Sequence, residues 1–268
     1  MAQDIRLAMN GALGRMGRRI LSLAAQSDKF KIAGAYEYAG HPDQGKNLGQ
    51  LLGFVADKVS IEPISAEALK KTDVLIDFSG PEGTIQSIAE ALSAKKPLVI
   101  GSTGLDEKIQ KKIMAASKKI AILDSPNMSL GANFLFELSR LAAAKLKEGY
   151  DIEIIESHHR LKKDSPSGTA KKIAEVIAEE KKWDLNKAGR YGRQGLTGER
   201  TRDEIGIHAV RAGDIVGEHT VIFGGPGETI ELKHIALSRD AFARGALVAA
   251  LFLSKKRTGR FSMMDVLK

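Results

Sequence analysis

The chain opens with Ile5-Arg6-Leu7-Ala8-Met9-Asn10, an apolar stretch that runs into Gly11, Gly14 and Gly17 and then into an amphipathic helical pattern from Arg15. A strand joined to a helix through so tight a turn is followed by a second strand parallel to the first, because the helix carries the chain back along the sheet. That constraint selects a parallel α/β architecture before any other feature is read.

The first half of the chain keeps to this pattern. Apolar, β-branched runs predict strands over Ile5 to Met9, Lys31 to Tyr36, Val74 to Phe78, Leu98 to Ile100 and Ile120 to Leu123. Between them, three- and four-residue spacing predicts helices over Arg15 to Gln26, Thr84 to Ala94 and Asp106 to Ser117. The assembly expected is a Rossmann-type doubly wound parallel sheet, whose ligands sit outside the carboxyl ends of the strands.

After Pro126 the pattern changes. A helix over Ala132 to Leu146 leads to a strand over Asp151 to Glu156 and a helix over Thr169 to Glu180. A Gly- and Arg-rich stretch, Ala188 to Arg202, precedes alternating runs over Gly206 to Arg211, Glu218 to Phe223 and Thr229 to Ile235. This half reads as an α+β domain with a mixed sheet and helices on one face. The last helix, Ser238 to Leu253, is expected to return to the first domain. The division expected is 1–126 with 237–268 for dinucleotide binding, and 127–236 for substrate and oligomerisation.

Gly11, Gly14 and Gly17 let bare backbone approach a pyrophosphate at a helix start. Their spacing departs from the common G-x-G-x-x-G, but Glu37 ends the second strand about 20 residues on, where an acidic side chain accepts from ribose hydroxyls. Arg15, in the first helical turn, is a candidate phosphate ligand. Small polar residues follow three further strands, at Ser79-Gly80, Gly101-Ser102-Thr103 and Ser125-Pro126-Asn127-Met128, and suit either a nicotinamide and its ribose or helix caps.

The segment Glu156 to Ala170, E-S-H-H-R-L-K-K-D-S-P-S-G-T-A, concentrates proton donors and anion binders after an apolar strand. His158 and His159 end that strand with side chains on opposite faces, so they are not expected to share a metal. Separate roles beside Lys162 and Asp164 fit better, with purely structural histidines the alternative. Gly168 and Thr169 begin a helix whose exposed N–H groups, with the Thr169 hydroxyl, form a site for a carboxylate. Ser167 and Thr169 serve equally as capping residues on this reading.

Composition narrows the chemistry. The chain has no cysteine, which removes thiolate nucleophiles, Cys-ligated zinc and any disulfide framework. Its formal charge of +8 comes from lysines scattered in pairs, and one Trp and four Tyr offer little for base stacking, so nucleic acid is not an expected partner. A basic surface instead draws in polyanions such as a dinucleotide and a dicarboxylate. The longest apolar run, Gly245 to Leu253, falls short of the roughly 20 residues that span a bilayer. No membrane contact is expected, and the N-terminal residues lack the layout of a secretory signal, so a cytoplasmic location is expected.

The motifs together closely resemble the 4-hydroxy-tetrahydrodipicolinate (dihydrodipicolinate) reductase family of diaminopimelate and lysine biosynthesis. The resemblance rests on E-S-H-H-R-x-K-x-D-x-P-S-G-T-A from Glu156 and runs nearly the length of the chain. It includes G-A-L-G-R-M-G from Gly11, I-D-F-S-G-P-E-G-T from Ile76, V-I-G-S-T-G from Val99, N-M-S-L-G from Asn127, R-Q-G-L-T-G-E-R from Arg193 and V-R-A-G-D-I-V-G-E-H-T from Val210. It implies an NAD(P)H-dependent reductase with His158 as acid/base, Lys162 as proton donor, and His159, Gly168 and Thr169 on the dicarboxylate. It further implies cofactor contacts from Gly11, Ala12, Leu13, Gly14, Arg15, Met16, Glu37, Gly101, Ser102, Thr103, Ser125, Pro126, Asn127 and Met128, and a homotetramer.

Two positions depart from the family pattern. Tyr38 stands where many members carry an arginine for the 2′-phosphate of NADPH, so NADH is expected to serve at least as well, with Lys46 or Arg15 as substitute contacts. Leu161 stands where relatives often have a third histidine, and only tuning is expected from it. The alternative readings of the chain are another two-domain NAD(P)-dependent amino-acid-pathway dehydrogenase and a dinucleotide-sensing regulator that binds nucleic acid.

Overall fold

Among the described residues, 4–54, 56 and 58–268, the computed structural model has twelve strands and ten helices. In order these are β1 (Ile5–Asn10), α1 (Arg15–Ala25), β2 (Phe30–Tyr36), α2 (Leu48–Leu52), β3 (Ile61–Glu62), α3 (Ala66–Leu69), β4 (Val74–Asp77), α4 (Pro81–Ala94), β5 (Leu98–Ile100), α5 (Glu107–Ser117) and β6 (Ala121–Asp124). There follow α6 (Leu130–Lys145), β7 (Asp151–His158), α7 (Gly168–Lys181), α8 (Leu185–Ala188), β8 (Gly189–Tyr191), β9 (Ile205–Arg211), β10 (Gly217–Gly225), β11 (Glu228–Ala236), α9 (Asp240–Leu253), β12 (Gly259–Phe261) and α10 (Met263–Leu267). The chain divides into two units, Met1–Ser129 with Arg239–Lys268, and Leu130–Ser238.

The first unit is built on a parallel seven-stranded sheet in the order β12-β6-β5-β4-β1-β2-β3. Leu7, Ala8 and Met9 are successive residues and all fully buried, as a strand covered on both faces requires. Helix α1 turns Ile20, Leu21, Leu23 and Ala24 inward, while α9 packs against β4, β5 and β6. Pro81 opens α4 at the first helical position, and the Asp106 carboxylate caps α5 by accepting from the Ile109 N–H at 2.8 Å. Strand β1 lies between β2 and β4, so the strand order reverses there and the crevice of a doubly wound sheet opens at its carboxyl end.

The second unit carries a mixed five-stranded sheet, β11-β10-β7-β9-β8, with β10 antiparallel to both neighbours and β7, β9 and β8 mutually parallel. Side chains of β7 alternate, and Ile152, Ile154, Glu156 and His158 all face inward. Ile152 and Ile154 meet Leu135 and Phe136 of α6 and Ile173 and Ile177 of α7 in one apolar cluster. Fully burying each such side chain contributes roughly 1.5–3 kcal/mol.

Differences from expectation lie at the ends of elements and in the shortest ones. Strand β7 continues two residues past Glu156, so that His158 is a paired strand residue opposite Arg211. Helix α9 starts at Asp240. Strands β3, β8 and β12 and helices α2, α3, α8 and α10 carry too few residues to print a period. Among the described residues, no helix is long and apolar enough to cross a membrane.

Candidate active site

The inner face of the second sheet is layered. Phe223, Ile152 and Ile205 form one row across β10, β7 and β9, and Val221, Ile154 and Ile207 form the next. One step further the row becomes His219, Glu156 and Ala209, and beyond it His158 pairs with Arg211. Apolar packing thus gives way to a buried polar cluster at the carboxyl end of β7.

Glu156 is fully buried and is met by four donors. His158 Nδ1 lies 2.5 Å from Oε2, Arg211 spans the carboxylate at 2.8 and 2.7 Å, and the Ser167 N–H donates to Oε1 at 3.0 Å. Burial raises the Glu156 pKa, but hydrogen bonds from His158, Arg211 and Ser167 outweigh it and bring the group down to about 2. The His219 ring packs edge-on against His158 with centroids 5.2 Å apart, and its Nε2 lies 3.0 Å from Ser167 Oγ. Burial, then the neighbouring His158, pushes His219 down to about 3, so it is a neutral imidazole.

The loop after β7 brings the remaining candidates to this end of the sheet. Lys162 pairs with Asp164 at 2.8 Å, and its ammonium also disfavours charge on His219. His159 lies just past the strand, and its buried Nδ1 has no protein partner. Ser167 caps α7 by accepting from the Ala170 N–H at 3.1 Å. A Cβ built on Gly168 would meet no protein atom within 4 Å, so nothing in the protein's own packing asks for glycine there. The start of α7 is open on that side.

A second glutamate network, only partly buried, holds the Gly- and Arg-rich loop to β7. Glu153 accepts from Arg193, Arg200 and His208 at 2.7–3.0 Å, and these hydrogen bonds outweigh burial to bring its pKa down to about 2. Both glutamates titrate below their ordinary value, so the stability they add is complete above the usual glutamate range and is lost as pH falls toward 2. The thermal midpoint should therefore drop by several degrees between about pH 5 and pH 3. A midpoint that stays flat over this range would contradict the two networks.

In the first unit, Gly11 has φ +78, and a Cβ there would sit 2.7 Å from the Phe78 carbonyl oxygen. The N–H groups of Gly11 and Ala12 donate to Tyr36 O at 3.0 and 3.2 Å, which ties the turn to β2. Helix α1 begins at the cap residue Gly14 with no side-chain cap and no acidic residue in its first turn. Its leading N–H groups are thus free of intramolecular anions, as an exogenous phosphate requires. Glu37 takes the Leu13 N–H at 2.7 Å through Oε1, so the turn and the acidic residue after β2 form one unit. This set fits a dinucleotide.

The other candidates of this unit have mixed surroundings. Arg15 is exposed, Tyr38 is 64% exposed, and Lys46 is already paired with Asp43 at 2.7 Å. Gly101 is required by Phe78, whose ring a Cβ there would overlap. The Ser102 hydroxyl is committed to the protein, donating to Asp77 at 2.8 Å and accepting from the Gly80 N–H at 3.0 Å, whereas Thr103 is exposed. Ser125 donates to Asn127 O at 2.8 Å, the Asn127 side chain accepts from the Ser129 N–H at 2.8 Å, Pro126 is exposed and Met128 is buried.

Sequence reasoning missed Asp77, Glu156, Arg211 and His219 as working residues. Asp77 is fully buried at the end of β4, where it accepts from Thr84, Ser102, Ser87 and Asn10 at 2.6–3.2 Å. It joins the carboxyl ends of β1, β4 and β5. For Glu156 a signal was present, since a residue two before His158 on a strand shares its face.

Residues 5–128 match the family model described as dihydrodipicolinate reductase, N-terminus, and residues 131–267 match its C-terminus. The chain is 45% identical over 263 residues to 4-hydroxy-tetrahydrodipicolinate reductase of Nitrosomonas europaea, covering 98% of both chains. It is 46% identical over 264 residues to the Laribacter hongkongensis enzyme of the same name, again covering 98% of both. Among solved structures, the dipicolinate-bound dihydrodipicolinate reductase of Paenisporosarcina sp. TG-14 superimposes with a TM-score of 0.78 at 26% identity, over 98% of this chain and 99% of that one. An amine dehydrogenase from Mycobacterium smegmatis shares the fold at 12% identity, with a TM-score of 0.61 over 97% and 95% of the two chains.

Proposed function

The chain belongs to the dihydrodipicolinate reductase family, and on that premise we propose how its groups divide the reaction. It reduces 4-hydroxy-tetrahydrodipicolinate to tetrahydrodipicolinate, with loss of water, in diaminopimelate and lysine biosynthesis. A reduced nicotinamide dinucleotide, when bound, supplies the hydride. The observation that carries the assignment of protons is the buried His158–Glu156–Arg211 cluster beside Lys162 and the open start of α7.

Lys162 holds the proton delivered to the reduced ring, and His158 is the acid/base that exchanges protons beside it. The substrate carboxylate docks at Gly168 and Thr169, where the first N–H groups of α7 meet negative charge, with His159 Nδ1 as a further polar contact. These cationic and dipolar groups also draw charge from the ring and make it a better hydride acceptor. Gly11 to Met16 hold the pyrophosphate, Glu37 offers its second oxygen to the adenosine ribose, and Gly101, Ser102, Thr103 and Ser125 to Met128 lie along the nicotinamide half. For Ser102 the contact is through backbone, because its hydroxyl is engaged by Asp77.

NADH serves at least as well as NADPH. Tyr38 offers no positive charge for a 2′-phosphate, and Lys46 is held by Asp43, which leaves the exposed Arg15 to substitute. Steady-state kinetics with each dinucleotide should give a kcat/KM for NADH equal to or above that for NADPH. A preference for NADPH of tenfold or more would overturn this reading.

The second unit supports self-association as a homotetramer. The outer face of its sheet, opposite the one packed on α6 and α7, is mixed in character, with Ile155, Val210 and Ile235 at 36, 44 and 45% exposure beside Glu153, His208 and Glu218. Sedimentation should return four times the chain mass, and a monomer would exclude the assembly. We place the enzyme in the cytoplasm, in keeping with membership of an amino-acid biosynthetic family.

A further inference from the structure

We propose that Glu156 is the positioning residue of the reaction: its carboxylate, held by Arg211 and the first residue before α7, fixes His158 in the tautomer that carries hydrogen on Nδ1 and leaves Nε2 to exchange the proton. The inference rests on the reductase reading and deepens it.

The geometry leaves the carboxylate no freedom. Oε2 receives His158 Nδ1 at 2.5 Å and Arg211 Nη1 at 2.8 Å, while Oε1 receives Arg211 Nη2 at 2.7 Å and the Ser167 N–H at 3.0 Å. Four contacts occupy the four lone-pair positions of an ionised carboxylate, which has no proton to give. Nδ1 of His158 must therefore be the donor. Arg211 is itself tied down by Nη2 to the Asp164 carbonyl at 2.7 Å and by Nη1 to that of Val210 at 2.7 Å. The clamp is thus built from β7, β9 and the cap of α7 together.

The other ring nitrogen is left room. Gly217 lies beside His158, and a Cβ at that position would come within 3.1 Å of Nε2. His219 packs edge-on against the same ring and is held by Ser167, so the imidazole is bounded on a second side. A carboxylate that fixes the tautomer of a histidine and stabilises its charged form is the logic of hydrolytic triads, where the wrong tautomer costs about 10⁴ in turnover. Here Lys162 remains as a second proton carrier, so the expected loss is smaller.

The test combines Glu156→Gln with direct reading of the imidazole nitrogens. In ¹⁵N-labelled wild-type protein, the neutral His158 ring, assigned from its absence in His158→Asn, should show hydrogen on Nδ1 and an unprotonated Nε2. Glu156→Gln keeps the shape but can present an NH₂ to Nδ1; it should move the tautomer toward Nε2–H and lower kcat by about 100-fold. The KM for NADH should stay within twofold. Hydrogen on Nε2 in the wild type overturns the proposal, as does a variant that keeps kcat within threefold or loses it with the tautomer unchanged. If the variant does not fold, the wild-type spectrum decides alone. That spectrum needs no turnover, so a folded protein with no reductase activity would count against the function and not against the clamp.

Discussion

Lys162→Ala should lower kcat by about 100-fold or more, the usual weight of a positioned general acid, with the KM for the dinucleotide within twofold of wild type. Lys162 leaves the end of β7 on a turn closed by its own N–H to His159 O at 3.1 Å, and its ammonium is anchored by Asp164 at 2.8 Å. Its side chain is only 20% exposed, so the ammonium is held in place and not free to sweep through solvent. Loss of the group removes both a proton and a positive charge. Lys162→Arg separates the two, because a guanidinium keeps the charge but does not release its proton at neutral pH. Both variants should therefore be slow. An arginine variant close to wild type would show that Lys162 acts through charge alone, and a large rise in dinucleotide KM would assign it to the wrong ligand.

Gly17→Ala should be the most damaging change in the first unit. A Cβ there would collide with the Gly11 carbonyl oxygen and lie 2.7 Å from that of Ala12. Both are backbone atoms of the turn, so relief requires helix α1 to lift away from β1. That shift would break the alignment of the helix start with Glu37, which holds the Leu13 N–H at 2.7 Å. Overpacking of this kind costs roughly 1–3 kcal/mol or more, and the dinucleotide Kd should rise at least tenfold. Gly168→Ala is the control, because its Cβ meets no protein atom within 4 Å. It should leave the melting midpoint unchanged. Calorimetry and dinucleotide titration of both proteins check the contrast, and a Gly17→Ala protein with wild-type midpoint and Kd would contradict it.

The parts of the molecule legible in the sequence are those whose cause is local. The turn at Gly11 to Gly17 announces itself because only glycine tolerates that φ and that approach, and the apolar runs of β1, β4, β5 and β6 are bounded by turn residues. Strands β3 and β12, of two and three residues, carry no readable period and exist through their pairing with β2 and β6. At the site, the two-residue period of a strand puts Glu156 on the face of His158, a signal present in the sequence but passed over. Arg211 is a different case: it is 55 positions away, and only the parallel pairing of β7 with β9 brings it to Glu156. Ser102 shows the same limit from the other side. Its position after β5 suited a cofactor ligand, but the buried Asp77 across the strand pair takes its hydroxyl.

The reductase activity is tested by the rate of NADH oxidation by purified protein supplied with the condensation product of pyruvate and aspartate semialdehyde. Oxidation should be rapid, should require the condensation product and should fall by about 100-fold in Lys162→Ala. Oxidation that proceeds equally without the product, or none at all from correctly folded protein, would contradict that activity.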